Sequence, residues 1–313
     1  MSPFFSIVIP TYNRSSTILP TLLSVQGQTF SDFECIIVDD GSKDVDALTK
    51  LVDQLADRRF RVIQRPNGGG GAARNTGIEA AVGLYIAFLD SDDFFVPEKL
   101  ELFHAYLRRS PYPALYSYAK VDRGIPDRMW IRPDRPIRED ESMASYLFIA
   151  NQFVQTSTIV MDSSLAKRIK FNPELRKGQD LDFCLRVDVD GTKFRMLEQP
   201  LIVWTDISEV GRTSRHAGAA APAQWLNQHA HMMTPAEIIG YRATVLSYYQ
   251  PKHRFLVVLK DLVQSVTVAK VPPKVALRHW LRFMLPRSLY RSIVSVAVRS
   301  LKQKGPSSSE FQE

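Results

Sequence analysis

Two acidic turns and one glycine-rich run hold the residues of this chain best suited to chemistry. Asp39 and Asp40 stand side by side after one apolar run, and Asp90-Ser91-Asp92-Asp93 follows another. Neighbouring carboxylates repel and raise one another's pKa unless a cation or hydrogen-bond donors compensate. The alternation in Asp90-Ser91-Asp92 suits a hard divalent ion, Mn2+ or Mg2+, with diphosphate oxygens filling the rest of its shell. Such an ion neutralises charge on a departing nucleoside diphosphate. Between the two turns lies Asn67-Gly68-Gly69-Gly70-Gly71-Ala72-Ala73-Arg74-Asn75. Glycines let phosphates approach backbone N–H groups, a helix N-terminus favours anions, and Arg74 can add a charge-assisted hydrogen bond. Each segment alone has a plain structural reading, as a self-bonded turn or a glycine hinge. Their recurrence at strand ends turns the balance toward a binding site.

A scaffold must bring these segments to one edge. Apolar, β-rich runs predict strands at Phe4–Ile9, Phe33–Val38, Phe60–Gln64 and Leu84–Leu89. Helical spacing predicts helices at Ser15–Gln28, Val45–Ala56 and Ala72–Ala81. The alternation specifies an α/β fold, Rossmann-like, with a mostly parallel central sheet flanked by helices. Ligands bind beyond the carboxyl ends of such strands, where Pro10-Thr11-Tyr12-Asn13-Arg14 and both acidic turns fall. Further along, a helix is expected over Glu98–Arg109, stopped by Ser110-Pro111-Tyr112-Pro113, with strands and loops over 115–140. A strand follows at Gln155–Met161, then a helix from Gln179 and a strand at Pro200–Trp204. The stretch 205–234, rich in Gly, Ala, His and Ser, reads as a loop that closes over the site.

Composition excludes a disordered or collagenous chain, since 45% of the 313 residues are hydrophobic and 23% charged. Cys35 and Cys184 sit in apolar surroundings and read as buried small hydrophobes, which fits a reducing compartment. The first residues lack a signal-peptide pattern, and no apolar run approaches the ~20 residues that span a bilayer. A cytoplasmic protein is expected. The formal charge of +7 is concentrated: residues 262–309 hold nine Lys and Arg and no Asp or Glu, so the remainder is slightly acidic.

Val8-Ile9-Pro10-Thr11-Tyr12-Asn13-Arg14, Val38-Asp39-Asp40-Gly41-Ser42, the glycine run ending in Ala73-Arg74-Asn75, and Phe88-Leu89-Asp90-Ser91-Asp92-Asp93 resemble family 2 of the inverting glycosyltransferases with the GT-A fold, in order and approximate spacing. The resemblance is strong over residues 4–100, looser over 150–215 and not recognisable beyond 235. It implies transfer of a hexose from a UDP-sugar donor to a hydroxyl of a glycan acceptor. It implies further that Pro10, Thr11, Tyr12 and Asn13 lie along the nucleotide, with Asn67, Gly68, Arg74, Asp90 and Ser91. Asp39 or Asp40 would accept a hydrogen bond from the base, a uracil imide N–H requiring a strong acceptor. Asp92 would hold the metal.

Inverting transfer needs one carboxylate to take the acceptor's proton while donors and metal stabilise the leaving group. In the family this is the Asp of a Glu-Asp pair opening a helix, and the matching stretch here is Lys177-Gly178-Gln179-Asp180-Leu181-Asp182-Phe183. The resemblance makes Asp180 the base, with Asp182 as rival, although an acidic residue there also simply stabilises a helix N-terminus. Gln179 departs from the family's Glu. Many relatives carry a metal-binding His after a strand like Leu201-Ile202-Val203-Trp204; Thr205-Asp206 stands there instead, making Asp206 a second candidate metal ligand. Arg212-Thr213-Ser214 matches a later Arg-x-Ser segment. Gln155, Gln179, Arg212 and Ser214 are assigned to the donor or acceptor sugar. His216, His229 and His231 match no metal spacing and read as surface or loop histidines, and Trp204 reads as core.

The expected organisation is a catalytic domain over 1–234, with a nucleotide-sugar half (1–110) and an acceptor half (111–234). A basic helical region over 235–304 and a disordered tail over 305–313 follow. Val275–Leu285 and Leu289–Leu301 mix apolar residues with arginines, as helices lying in a membrane surface do, and anionic lipids add ~1 kcal/mol per basic residue near the surface. The protein would then sit peripherally on the inner face of the cell membrane, beside a polyprenyl-linked exopolysaccharide or surface polysaccharide intermediate; an oligosaccharide acceptor is the other option. Packing on the catalytic domain and a homodimer interface compete with that reading, while nucleic-acid binding lacks a recognised fold. Two rival functions stay open, a sugar nucleotidylyltransferase and a non-catalytic transferase-like scaffold. The first normally needs a Gly-rich basic loop after strand one, which Pro10-Thr11-Tyr12-Asn13-Arg14 does not supply.

Overall fold

Every residue of strand β1 (Phe5–Thr11) is buried, as happens when a parallel strand is covered by helices on both faces. The computed structural model describes residues 2–125, 128–207, 220–286, 289–290, 292–294 and 296. The remaining strands are β2 (Phe33–Asp39), β3 (Phe60–Gln64), β4 (Tyr85–Phe88), β5 (Phe94–Phe95), β6 (Ala114–Asp122), β7 (Met129–Arg132), β8 (Val160–Asp162) and β9 (Arg195–Thr205). They form one sheet in the order β3-β2-β1-β4-β8-β6-β9-β5, with β7 paired to β6. From the pairings, β1, β2, β3, β4, β6 and β9 run one way and β5, β7 and β8 run against them. The expected mostly parallel sheet is present, and the first four strands match their predicted places to within two residues at either end.

Helices α1 (Leu19–Gln26), α2 (Val45–Gln54), α3 (Gly70–Ala80), α4 (Lys99–Arg109), α5 (Ser163–Ile169) and α6 (Gln179–Val189) flank the sheet, followed by α7 (Ala220–His229), α8 (Pro235–Thr244), α9 (Phe255–Thr267) and α10 (Pro273–Met284). The period of two along a strand divides the core. Ile7 and Ile9 of β1 point into a cluster with Leu22, Leu48 and Phe103, whereas Val8 joins Ala73, Ile78 and Phe183 on the other face. Fully burying each such aliphatic side chain contributes roughly 1.5–3 kcal/mol. Gly77 lets α3 lie directly on β1: a Cβ there would stand 2.3 Å from a methyl of Val8. Cys35 and Cys184 are free and buried, as expected.

Two expectations are corrected. Gln155–Met161 is not one strand but a tight turn at Thr156–Thr158 followed by β8, because the side chains of Gln155 and Ser157 are drawn into polar contacts under the site. The supposed loop 205–234 contains α7, whose Trp225 and Leu226 are buried; alanine-rich composition masked its periodicity. Residues 208–219, with Arg212, Ser214 and His216, lie outside the described residues, as do Arg287, Arg291, Arg299, Lys302, Lys304 and the tail 305–313.

Candidate active site

Asp39 and Asp40, adjacent in sequence, have different work. Asp40 is buried, pairs with Arg65, and accepts from the backbone N–H of Gly68 (3.0 Å) and Gly69 (2.6 Å). Its backbone carbonyl accepts from the Asn67 amide at 2.8 Å. Asp40 therefore ties the glycine-rich run to the end of β2 and has little capacity left for a base. Asp39 uses only Oδ1, which accepts from the N–H groups of Gly41 (3.1 Å) and Ser42 (2.9 Å). Its Oδ2 is buried with no hydrogen-bond partner among the described residues. Asp39 lines a cavity of about 300 Å³ together with Gly41, Ser42, Val45, Gln64, Arg65 and Pro66. A buried carboxylate oxygen left unpaired is costly, and a ligand N–H in that cavity would remove the cost.

The same holds for two more sequence candidates. Thr11 Oγ1 and Arg74 Nε are also buried with no hydrogen-bond partner among the described residues. Asn13, in the left-handed region at φ 51°, caps the Asp39 turn: its side chain accepts from Lys43 N–H and its own N–H donates to Ser42 Oγ. Tyr12 is exposed and free to lie along a bound nucleoside. Pro10, next to last in β1, stands opposite Val38 of β2.

Arg74 links the two ends of the site. Its guanidinium pairs with Asp90 at the end of β4 and donates at 2.6 Å to Gln179 Oε1, the residue before Asp180. It lies over the Phe171 ring at 5.2 Å, and Phe171 stacks on Phe183 at 4.2 Å while Phe88 meets both edge-on. Phe88 precedes Asp90 and Phe183 follows Asp180, so one aromatic cluster holds both acidic ends. Gln179 closes the arrangement by donating to Leu175 O at 2.5 Å.

Asp180 stands in the first turn of α6 and accepts from Leu181 N–H at 3.0 Å. Burial, and then the charge of Asp90, push its carboxyl above the usual range, against the opposing pull of Arg74. That is the tuning a general base needs. Asp182 is a different residue in kind: fully buried, it pairs with Arg186 at 2.7 Å and accepts from Trp225 Nε1 at 3.0 Å. His229 Nε2 stands 3.1 Å from it. The rival base is thus consumed in anchoring α7, and His229 is a buried partner of Asp182 rather than a surface histidine. His231 is exposed.

Beneath the acidic turn lies a layer that sequence reasoning missed. Gln155, expected against a sugar, is buried and spends its amide on Asp93 Oδ2 (2.7 Å), Asp90 Oδ2 (3.3 Å) and Ser157. Ser157 Oγ donates to Asp93 at 2.7 Å and accepts from Asp90 N–H at 2.9 Å. Fully buried Lys99 donates to Ser157 O at 2.7 Å. Burial pushes its ammonium well below the usual lysine range. Burial, reinforced by Asp90 and Asp92, holds Asp93 well above the usual carboxylate range. Asp93 Oδ1 accepts from Thr205 N–H at 3.1 Å, mooring the end of β9 to this turn. No period marks these polar residues as buried, since Lys99 and Gln155 are residue types usually exposed.

Asp92 pairs with Arg14 at 3.2 Å and Asp206 with Arg123 at 2.7 Å. Ser91 is buried between Asp90 and Asp92. Asp90 and Asp92 offer the hard oxygens that Mg2+ and Mn2+ prefer. Among the described residues no three His, Cys, Asp or Glu side chains gather as a ready metal site. An ion held by these two carboxylates would need other oxygens, such as those of a diphosphate, to complete its shell. Trp204 packs against Phe153 at 5.3 Å, a core contact.

Comparison with known proteins accords with this geometry. The amylovoran biosynthesis glycosyltransferase AmsB of Erwinia amylovora is 33% identical over 278 residues, covering 85% of this chain and 89% of that protein. Among solved structures, residues 1–349 of S. aureus TarS in complex with UDP-GlcNAc superpose with a TM-score of 0.61 at 21% identity, over 95% of this chain and 92% of that one. The mannosyltransferase PcManGT of Pyrobaculum calidifontis, in complex with GDP-Man and Mn2+, gives 0.51 at 14% identity over 97% and 82%. At those identities the two structures establish the fold. Residues 6–169 match the family described as Glycosyl transferase family 2; with the turns, the sheet order and the relative all agreeing, this chain belongs to that family and is a glycosyltransferase of the GT-A fold.

Proposed function

We propose that the chain transfers a hexose from a UDP-sugar, with inversion, to a hydroxyl of a lipid-linked exopolysaccharide or surface polysaccharide intermediate at the inner face of the cell membrane. The observation that carries the reading is the buried Asp39 oxygen left unpartnered among the described residues beside a base-sized cavity, with further unpartnered buried atoms on Thr11 and on Arg74, which bonds to the residue before Asp180. Asp39 Oδ2 accepts the uracil imide N–H, Tyr12 covers the nucleoside, and Arg74 with Asp90 contacts the ribose side. Asp92, with Asp206 as a second candidate ligand, would hold Mn2+ or Mg2+, which would neutralise charge on the leaving diphosphate. Asp180 removes the acceptor's proton as its oxygen attacks the anomeric carbon from the face opposite UDP. Gln179 keeps Arg74 oriented without adding the charge of the family's Glu.

The polysaccharide acceptor is supported by AmsB, a relative named for amylovoran biosynthesis, and the UDP donor by TarS bound to UDP-GlcNAc. Nucleoside diphosphate release should be followed with a panel of UDP- and GDP-sugars, membrane extract as acceptor, and Mn2+ present or removed. Release from one UDP-sugar that requires extract and metal is the expected result. Preference for a GDP-sugar would refute the uracil assignment, and metal-dependent donor binding without turnover would favour a scaffold.

A further inference from the structure

The outward faces of α9 and α10 are apolar where helices facing water are polar. Leu256, Leu259 and Val263 on α9, and Leu277, Leu281 and Met284 on α10, are between 39% and 65% exposed. At about 100° per residue each trio forms one stripe. Each stripe is turned roughly 115° about its helix axis from the inward residues, Val258 and Leu262 on α9 and Ala276 and Phe283 on α10. The two large aromatics of α10 lie outside its exposed stripe: Phe283 is buried and Trp280 packs on the same cluster. Helix α9, which the sequence reading did not single out, supplies the second apolar stripe.

Charge decides what covers these stripes. From Lys252 to Val296 the one acidic residue is Asp261, buried and paired with Arg242 at 2.6 Å. Lys260, Lys270, Lys274 and Arg282 are exposed around them. Self-association through this face would set like charges against like, since a two-fold interface brings the same patch together. Among the described residues no helix is long and apolar enough to cross a membrane. With 13 residues, α9 is ~20 Å long, short of the ~30 Å hydrocarbon layer.

We infer that α9 and α10 form a docking face for an anionic bilayer surface, with Leu256, Leu259, Val263, Leu277, Leu281 and Met284 in the headgroup boundary and the lysines against lipid phosphates. The face is moored to the acceptor half of the molecule. His279 Nε2 meets Asn151 at 2.9 Å, and Lys177, three residues before Asp180, lies over the Tyr249 ring at 5.1 Å. The inference rests on the transferase reading only for its purpose, which is to meet a lipid-linked acceptor beside the base.

The full chain should be sedimented with vesicles of phosphatidylcholine alone and of phosphatidylcholine with phosphatidylglycerol, at low and high salt. The wild type is expected to bind the anionic vesicles, less so as salt rises. Leu256→Glu/Leu259→Glu and Leu277→Glu/Leu281→Glu should each weaken binding about tenfold or more, with unchanged thermal melting because the positions are exposed. Wild type left in the supernatant with both vesicles, binding indifferent to these substitutions, or a dimer by light scattering that the substitutions split without any vesicle binding, would each overturn the assignment. UDP release assayed in parallel on the same protein, with UDP-sugar, Mn2+ and membrane extract, separates the two readings: vesicle binding without turnover leaves the face standing and removes the proposed transfer, and turnover without vesicle binding does the reverse.

Discussion

At the scale of single residues, the two carboxylates of the first acidic turn differ in what remains unpaired. Asp40 is saturated by Arg65 and the glycine run, while Asp39 keeps one buried oxygen free. Asp39→Asn should therefore weaken UDP-sugar binding about 10- to 100-fold, the worth of a hydrogen bond to a charged group at 1.5–3 kcal/mol, as titration calorimetry would record; equal affinity would remove Asp39 from the base. Asp92→Asn should lower donor affinity in Mn2+ and leave it unaltered in chelator, and a variant that keeps its full response to metal would take Asp92 out of the coordination shell. The acidity of Asp180 adds a pH signature. Its folded-state pKa is raised, so transfer should climb as pH rises through that raised value and then level. The sign for stability is opposite: the folded state holds this proton more tightly than the unfolded chain, so the group costs stability as pH rises out of the ordinary carboxylate range. Asp180→Asn should consequently melt no lower than wild type at neutral pH.

At the scale of elements, what positions the site is contact between segments distant in sequence. Phe88, Phe171 and Phe183 join β4 to α6 beneath Arg74, and the side chain of Asn75 exchanges two hydrogen bonds of 2.8 Å with the backbone of Phe171. Phe171→Ala should cost ~3–5 kcal/mol and, by loosening Arg74, raise donor KM; a loss of melting temperature with KM untouched would separate the cluster from the site. Asp182→Ala leaves Arg186 and His229 facing an empty buried position and should cost ~3–5 kcal/mol, checked by denaturant unfolding. The sequence revealed the first four strands and their turns because period and turn chemistry are local signals, and β3 falls on its predicted residues. It concealed the layer of Gln155, Ser157, Asp93 and Lys99, whose burial depends on contacts across 58 to 112 positions. It also left Asp39 against Asp40 open and chose Asp180 over its rival Asp182 on resemblance alone, since partners such as Arg65 and Trp225 are announced by no motif.

At the scale of the whole molecule, the sheet order brings the ends of β1, β2 and β4 together, and the Arg74–Gln179 contact ties α6 to them; in the proposed reading the donor is bound on the first side and the base stands on the second. The family signature covers residues 6–169, and Asp180 falls beyond it. The account therefore depends most on whether Asp180 acts on a donor bound by the other half. Donor binding and single-turnover transfer should be measured side by side for wild type and Asp180→Asn, with the best UDP-sugar and membrane extract. The account predicts donor affinity within about twofold of wild type and transfer reduced by ~10²–10⁴. Transfer at the wild-type rate, or donor binding lost in step with transfer, would contradict it.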